Sequence, residues 1–451
     1  MMKKIFQFGG SLILLFTLAV LANYYRYRFI PLVHVGEIDN VTFNGTEGYT
    51  DKLSYNLLDT IFISIKAQHN GKAYISKLDV KNCIIDSILI NPTRQNLNDS
   101  LSEYGCNWKV TNFIVLDSKY TPGYYSIEYK SNSNVVYSNF IIENHSKSKI
   151  AILAPISTWV AYNDWGGKSL YWNYFEPKTV YNVSTKRPFT EPINKAESNI
   201  ANFFIDNYNA SLIPDFYLEN EMELLNKYDI IVLSYHCEYF SSKMYDNLKL
   251  LIEKQEKSLI SLGANQIYWK TKWNDNHTVM ECRKDLTSFD DYGFDYGGMW
   301  RHHFNKSEHN LLGVRFTEVG MHSYAPYEIK SHEHWIFDGL DVKKESVFGI
   351  NGINNLPISG AETDKFVSLK SNMTLLAKGL NCTNLNGKYN SIDDNCELNA
   401  GADFIIIENK NNCILSTGSI ESGAGLGYDN TFTRMITNFV LKNTSANNAY
   451  K

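Results

Sequence analysis

"YDIIVLSYHCEYFSSKMYDNLKLLIEKQEKSLISLGAN", residues 228–265, decides the fold. "YDIIVLSY" is an apolar run of the length of a buried strand. "SSKMYDNLKLLIEKQE" then spaces its apolar residues three and four apart, as one face of a helix does. "KSLISLGAN" is a second apolar strand. Strand, helix and strand in succession imply parallel neighbours in a sheet covered on both faces. Ser241 and Ser242 can cap the intervening helix. Between the first strand and that helix stand Tyr235, His236, Cys237, Glu238 and Tyr239. In open parallel sheets, ligands collect beyond the carboxyl ends of the strands. The cluster therefore falls where an α/β domain keeps its site.

Outward from this stretch the pattern holds in one direction only. "KIAILAPI" reads as an opening strand and "AESNIANFFIDN" as a helix. "LLGVRF", "FVSLK", "ADFIIIEN" and "CILSTGS" add strands, and "TFTRMITNFVLKN" a closing helix. We read residues 148–451 as one α/β domain on a parallel sheet. Before the polar bridge "ENHSKSKI", 143–150, the alternation is that of strands alone. "LDTIFISIKAQ", "CIIDSILI", "WKVTNFIVL", "GYYSIEYKS" and "VVYSNFIIEN" are separated by turn residues. Residues 30–147 are expected to form an antiparallel β-sandwich. There is no internal repeat.

Lys3 and Lys4 precede an apolar run at 5–22, and Arg26 and Arg28 follow it. The run is at the short limit for a membrane span and also has the form of a signal peptide. Residues 1–29 are thus expected to be a signal-anchor or signal peptide, and the chain membrane-anchored and extracytoplasmic. A chain of 451 residues exceeds one ordinary core, and 44% hydrophobic residues argue against disorder. A net charge of −5 gives no electrostatic reason for nucleic acid binding. Of seven cysteines, Cys83 with Cys106 and Cys382 with Cys396 are spaced for local disulfides in an oxidising compartment. Cys237, Cys282 and Cys413 have no evident mates.

The residues restrict the chemistry. No G-x-S-x-G elbow occurs. Cys237 follows His236, but neighbours along a strand point to opposite faces and make no dyad. The sharp turn at Gly263 carries Ala264 and Asn265, which cannot attack a carbonyl. Covalent catalysis is disfavoured. Neither H-E-x-x-H nor C-x-x-C is present. Tyr239, Glu238 and His236 offer oxygen and nitrogen, and phenolate and carboxylate oxygens suit a hard ion such as ferric iron. The pairs His302–His303 and His332–Glu333–His334 read as solvated loop residues.

Five blocks resemble the C-terminal region of the N,N-dimethylformamidase large (beta) subunit family. They are "APISTWVAYNDWGGKSLY" (154–171), "YDIIVLSYHCEYFSSKM", "LGANQIYW", "DYGGMWR" (295–301) and "GADFIIIENKNNCILSTGSI". Their order is that of the family, over residues 150 to about 443. The resemblance implies a class I glutamine amidotransferase-like fold. It also implies a mononuclear iron held by two tyrosines and one glutamate, and hydrolysis of a small amide. Carried onto this chain, the ligands are Tyr239, Asp295 where the family carries glutamate, and Tyr162 or Tyr171 as second tyrosine. Cys237 and Phe240 also depart from the family's pattern. Glu238 and His236 are expected as catalytic base or as support for the ligands. Iron is the expected cofactor, ahead of zinc. The expected partners are a small-molecule or glycan-linked amide and, through the N-terminal segment, the membrane, with self-association as a homo-oligomer open. The alternative function is a non-catalytic surface protein that binds glycan or protein.

Overall fold

The computed structural model describes residues 45–79, 83–96, 101–131, 134–145, 147–171, 180–284, 298–304, 306–317, 321–381 and 400–444. Within it the deciding stretch folds as its periodicity predicts. Ile230–Tyr235 and Ser258–Gly263 are parallel strands, paired from Ile230 opposite Ser258 to Tyr235 opposite Gly263. Helix Ser242–Glu253 connects them. Ser241 is its cap, and its hydroxyl accepts from the Met244 amide at 3.2 Å. That bond satisfies one of the first-turn donors a helix cannot satisfy itself. Met244, Tyr245, Leu248, Leu251 and Ile252 form the buried stripe.

The sheet has nine strands. In spatial order they are Ser211–Pro214, Ile150–Ala154, Ile230–Tyr235, Ser258–Gly263, Cys413–Ser416, Asp403–Glu408, Met373–Gly379, Tyr327–Ile329 and Val347–Phe348. The first five are parallel to one another. Every later pairing is antiparallel. The expected parallel sheet is thus a mixed one. The reason lies in connection length. Asp403–Glu408 returns to Cys413–Ser416 through residues 409–412, where the Asn409 amide donates to the Asn412 carbonyl at 2.9 Å. Such a link makes a hairpin, because a parallel crossover needs a dozen residues or more. "FVSLK" also shifts: the strand there is Thr363–Phe366.

The sheet is buried on both faces, which is why its strands are apolar without alternation. Ile152, Val232, Ile260 and Leu262 pack with helices Lys195–Tyr208 and Asn430–Asn443. Leu153, Ile231, Leu233 and Leu259 pack on the other face with helix Ser242–Glu253.

The N-terminal region forms a five-stranded and a three-stranded sheet. All pairs are antiparallel except Ser54–Tyr55 beside Val135–Ile142. Ile63, Ile75, Ile127 and Phe140, from both sheets, share one core. Two later segments of the chain are stitched to this region. Trp165 packs into its core. Tyr137 and Phe189 exchange backbone hydrogen bonds of 2.8 and 2.7 Å.

Cys83 is exposed, Cys106 is buried, and both are free, so the disulfide expected between them is absent. Cys106 instead belongs to the N-terminal core, which seals it from an exposed partner. Cys382 and Cys396, like the apolar run at 5–22, lie outside the described residues. Among the described residues no helix is long and apolar enough to cross a membrane.

Candidate functional site

The site begins where two parallel strands end. Tyr235 leaves its strand with φ of 57°, in the left-handed region. Asn265 and Ile267, on the neighbouring strand end, have φ of 50° and 54°. Such conformations cost roughly 1–3 kcal/mol for residues other than glycine and concentrate at functional sites. Gln266 braces the crossing. Its Oε1 accepts from the Cys237 amide at 2.6 Å and its Nε2 donates to the Tyr235 carbonyl at 3.1 Å. Gly263 is obligatory there, since a Cβ would lie 1.7 Å from the Tyr235 carbonyl oxygen.

This turn sends His236 and Cys237 to opposite sides. Cys237 enters the core beside the connecting helix, where burial pushes its thiol well up. His236 faces Tyr162 and Glu238. Its Nδ1 lies 3.0 Å from the Ala264 carbonyl, which can only accept, so Nδ1 carries a proton. Nε2 then meets the Tyr162 hydroxyl at 3.1 Å and Glu238 Oε2 at 3.5 Å. Burial opposes charge on the imidazole, but the Glu238 carboxylate prevails and lifts it to about 9. Burial likewise opposes charge on Glu238, and His236 holds it below the usual carboxylate range. The result is a buried imidazolium–carboxylate pair.

Glu238 is fixed by its backbone, whose amide donates to Thr158 Oγ1 at 3.0 Å, and by Asn265 Nδ2 at 3.4 Å from Oε1. Oε2 has the ionic approach of His236 but no hydrogen-bond partner among the described residues. The Tyr162 hydroxyl faces the same carboxylate, and burial followed by the Glu238 charge raises it well above its ordinary value. Tyr162 ends the short helix Ile156–Tyr162. Asp215 accepts from the Ser157 amide at the start of that helix, at 3.1 Å. Arg187, fully buried, donates to the carbonyls of Val160 and Asn163 at its far end, and also to those of Trp165, Lys168 and Ser184.

Tyr239 is also buried here, its ring 6.0 Å from that of Tyr162. Its hydroxyl, however, accepts from Lys284 Nζ at 2.6 Å. Lys284 is buried, and burial lowers its ammonium despite the Glu238 charge. Tyr171 packs on Tyr162 at 4.7 Å between ring centroids, at the edge of the site. Of the residues singled out in the sequence, the structure therefore gathers His236, Glu238, Tyr162 and Tyr239. Asp295 lies outside the described residues. Among these, no three His, Cys, Asp or Glu side chains converge as a metal cage. Tyrosine oxygen is the further donor on offer. Lys284 lies far from the motif in the chain and carries no periodic or motif signal, and Thr158, though inside the block at 154–171, was not singled out there. Asn265 appeared in the sequence only as a residue unable to attack.

A cavity of about 490 Å³ adjoins the group, with Tyr162 and His236 in its wall. A half-buried tyrosine, a buried histidine and a buried glutamate thus stand beside a cavity at the carboxyl ends of parallel strands, where α/β sheets commonly keep small-molecule sites. The family model described as N,N-dimethylformamidase beta subunit-like, C-terminal, matches residues 90–434, and the chain belongs to that family. The match starts within the N-terminal sheets, well before residue 150, so the family region includes part of them. No curated protein matches the chain.

Proposed function

We propose that the protein is a metal-dependent hydrolase of an amide or related carbon–nitrogen bond. The observation that carries the reading is the meeting of Tyr162, His236 and Glu238 in a buried site, with Glu238 Oε2 lacking a hydrogen bond among the described residues. The donor set fits a hard cation: a carboxylate and a phenol face each other, and one carboxylate oxygen has capacity to spare. Tyr162 and Glu238 would hold it, with iron the first expectation and zinc the second. Tyr239 serves this role less well, because Lys284 already occupies its hydroxyl. A bound cation of this kind polarises a carbonyl and acidifies a water. The chain's own residues supply the rest. Nδ1 of His236 is pinned on Ala264, which leaves Nε2, protonated in the pair with Glu238, to give its proton to the departing nitrogen and to regain one from the next water. Asn265 and Thr158 keep Glu238 in place. The burial of His236 and Glu238 strengthens each of these interactions.

The parallel half of the sheet supports a class I amidotransferase-like fold, and the shared core of the N-terminal sheets supports a β-sandwich with a boundary near 147. The apolar run at 5–22 supports export and membrane attachment, for which carbonate extraction is the test. Metal analysis of the purified chain tests the function. About one metal per chain is expected, with strong loss in Glu238→Gln and Tyr162→Phe. A chain that stays metal-free after reconstitution with ferrous, ferric and zinc ions, and that hydrolyses no amide, belongs with surface binding proteins instead.

A further inference from the structure

The cavity beside the site has a one-sided chemistry. Its wall includes the aromatic rings of Trp159, Tyr162, Phe189 and Tyr235. It also includes four carboxylate residues, Asp164, Glu191, Glu197 and Glu362. Among the described residues no lysine or arginine lines it. The basic side chains in the wall are the imidazoles of His236 and His322, and His236 is already paired with Glu238.

Glu197 is the most telling of these. It stands on helix Lys195–Tyr208 and is 2% exposed. Both carboxylate oxygens take the indole N–H of Trp159, at 3.0 and 3.2 Å. That bond turns the indole and the carboxylate toward one another in the wall. Among the described residues no ion pair reaches Glu197, and Glu362 Oε2 is buried without a hydrogen-bond partner. A buried carboxylate without a counter-charge is expensive. Burial accordingly lifts Glu197 to about 8. A cation entering the cavity would relieve that burden.

We propose that the cavity binds an organic ammonium group, held between the Trp159 and Tyr162 rings and the Glu197 carboxylate, so that the amide substrate carries a positive charge. Aromatic faces attract such groups through their quadrupole, and most strongly when water is excluded. Burial keeps Glu197 protonated near neutrality; as the ammonium enters, the acid gives up its proton and the resulting carboxylate adds a Coulomb attraction. The volume of about 490 Å³ suits a small molecule rather than a polymer end. An overall charge of −5 steers cations in the same sense.

The naming of a substrate class rests on the hydrolase reading, but the test needs no turnover. Choline and 1,4-diaminobutane would be titrated into the full chain by calorimetry. The neutral choline isostere 3,3-dimethylbutan-1-ol and the anion acetate are the controls. At least one cation should bind, with the neutral isostere weaker by about tenfold or more. Measured at pH 9, above the Glu197 value of about 8, Glu197→Gln keeps the shape and removes the charge, and should weaken the cation by about tenfold while leaving the isostere unchanged. Glu362→Gln serves the same purpose if the first variant melts early. The proposal falls if neither cation binds below about 10 mM, if cation and isostere bind alike, or if a folded variant binds as the parent does. A chain that binds choline yet hydrolyses nothing overturns the hydrolase reading alone. One that cleaves neutral amides and ignores both cations overturns only this proposal.

Discussion

A methyl group added at residue 263 tests how the site is assembled. Ala at this position would put its Cβ 1.7 Å from the Tyr235 carbonyl and 2.2 Å from Gln266 Nε2. The first neighbour is backbone in a paired strand, so it cannot step aside without breaking the pairing. Gly263→Ala should lose about 3 kcal/mol or more, read as a lower urea midpoint at unchanged slope. A change within about 0.5 kcal/mol would mean the strand ends are looser than described. Cys237 offers the opposite case. It is buried away from His236 in an apolar core. Cys237→Ala should lose about 1–2 kcal/mol for the missing sulfur and keep most of any hydrolytic rate. A rate loss of ~100-fold would make the thiol a participant. At this scale His236 and Glu238 were legible, because they follow a buried strand. The grip of Lys284 on Tyr239 was not, because it comes from a residue 45 positions away.

Short elements show where local pattern gives way to tertiary contact. Helix Ile156–Tyr162 is seven residues long, too short for apolar periodicity to announce it. Asp215 at one end and Arg187 at the other hold it from outside. Arg187→Met would leave several buried carbonyls unpaired, each a loss of about 1–3 kcal/mol. We expect that variant to melt far below the parent. Arg187→Lys should recover only part, since one ammonium cannot reach a set of carbonyls that the planar guanidinium spans. Equal melting of both variants and the parent would show that the helix needs no external cap. The long elements were easier. Ser242–Glu253 and Asn430–Asn443 carry their stripes in the sequence. The direction of Asp403–Glu408 was missed, because a strand buried on both faces reads the same whichever way it runs; only the length of its connection tells.

The whole molecule couples these parts through protons. Four buried groups hold protons more tightly when folded. Burial raises Glu197, Asp215 and Asp364 each to about 8. His236, opposed by burial but favoured by Glu238, rises to about 9. For the three acids the unfolded chain releases its protons near 4, whereas the fold keeps them to about 8, so stability falls across that interval. The His236 contribution is complete below its unfolded value near 6.5 and is lost as pH rises through about 9. Both effects have one sign above neutrality. Glu238, held below its ordinary value, acts in the other sense and weakens the fold only in acid. Stability should therefore peak in weak acid and decline by several kcal/mol between pH 6 and 9. Urea midpoints at pH 6, 7, 8 and 9 measure it. Asp215→Asn keeps an acceptor for the Ser157 amide and removes one titrating group, so its profile should be flatter between 6 and 8. A parent profile that is level or rising from pH 6 to 9 would mean these carboxyls ionise freely in the fold, with water reaching a core that the structure closes.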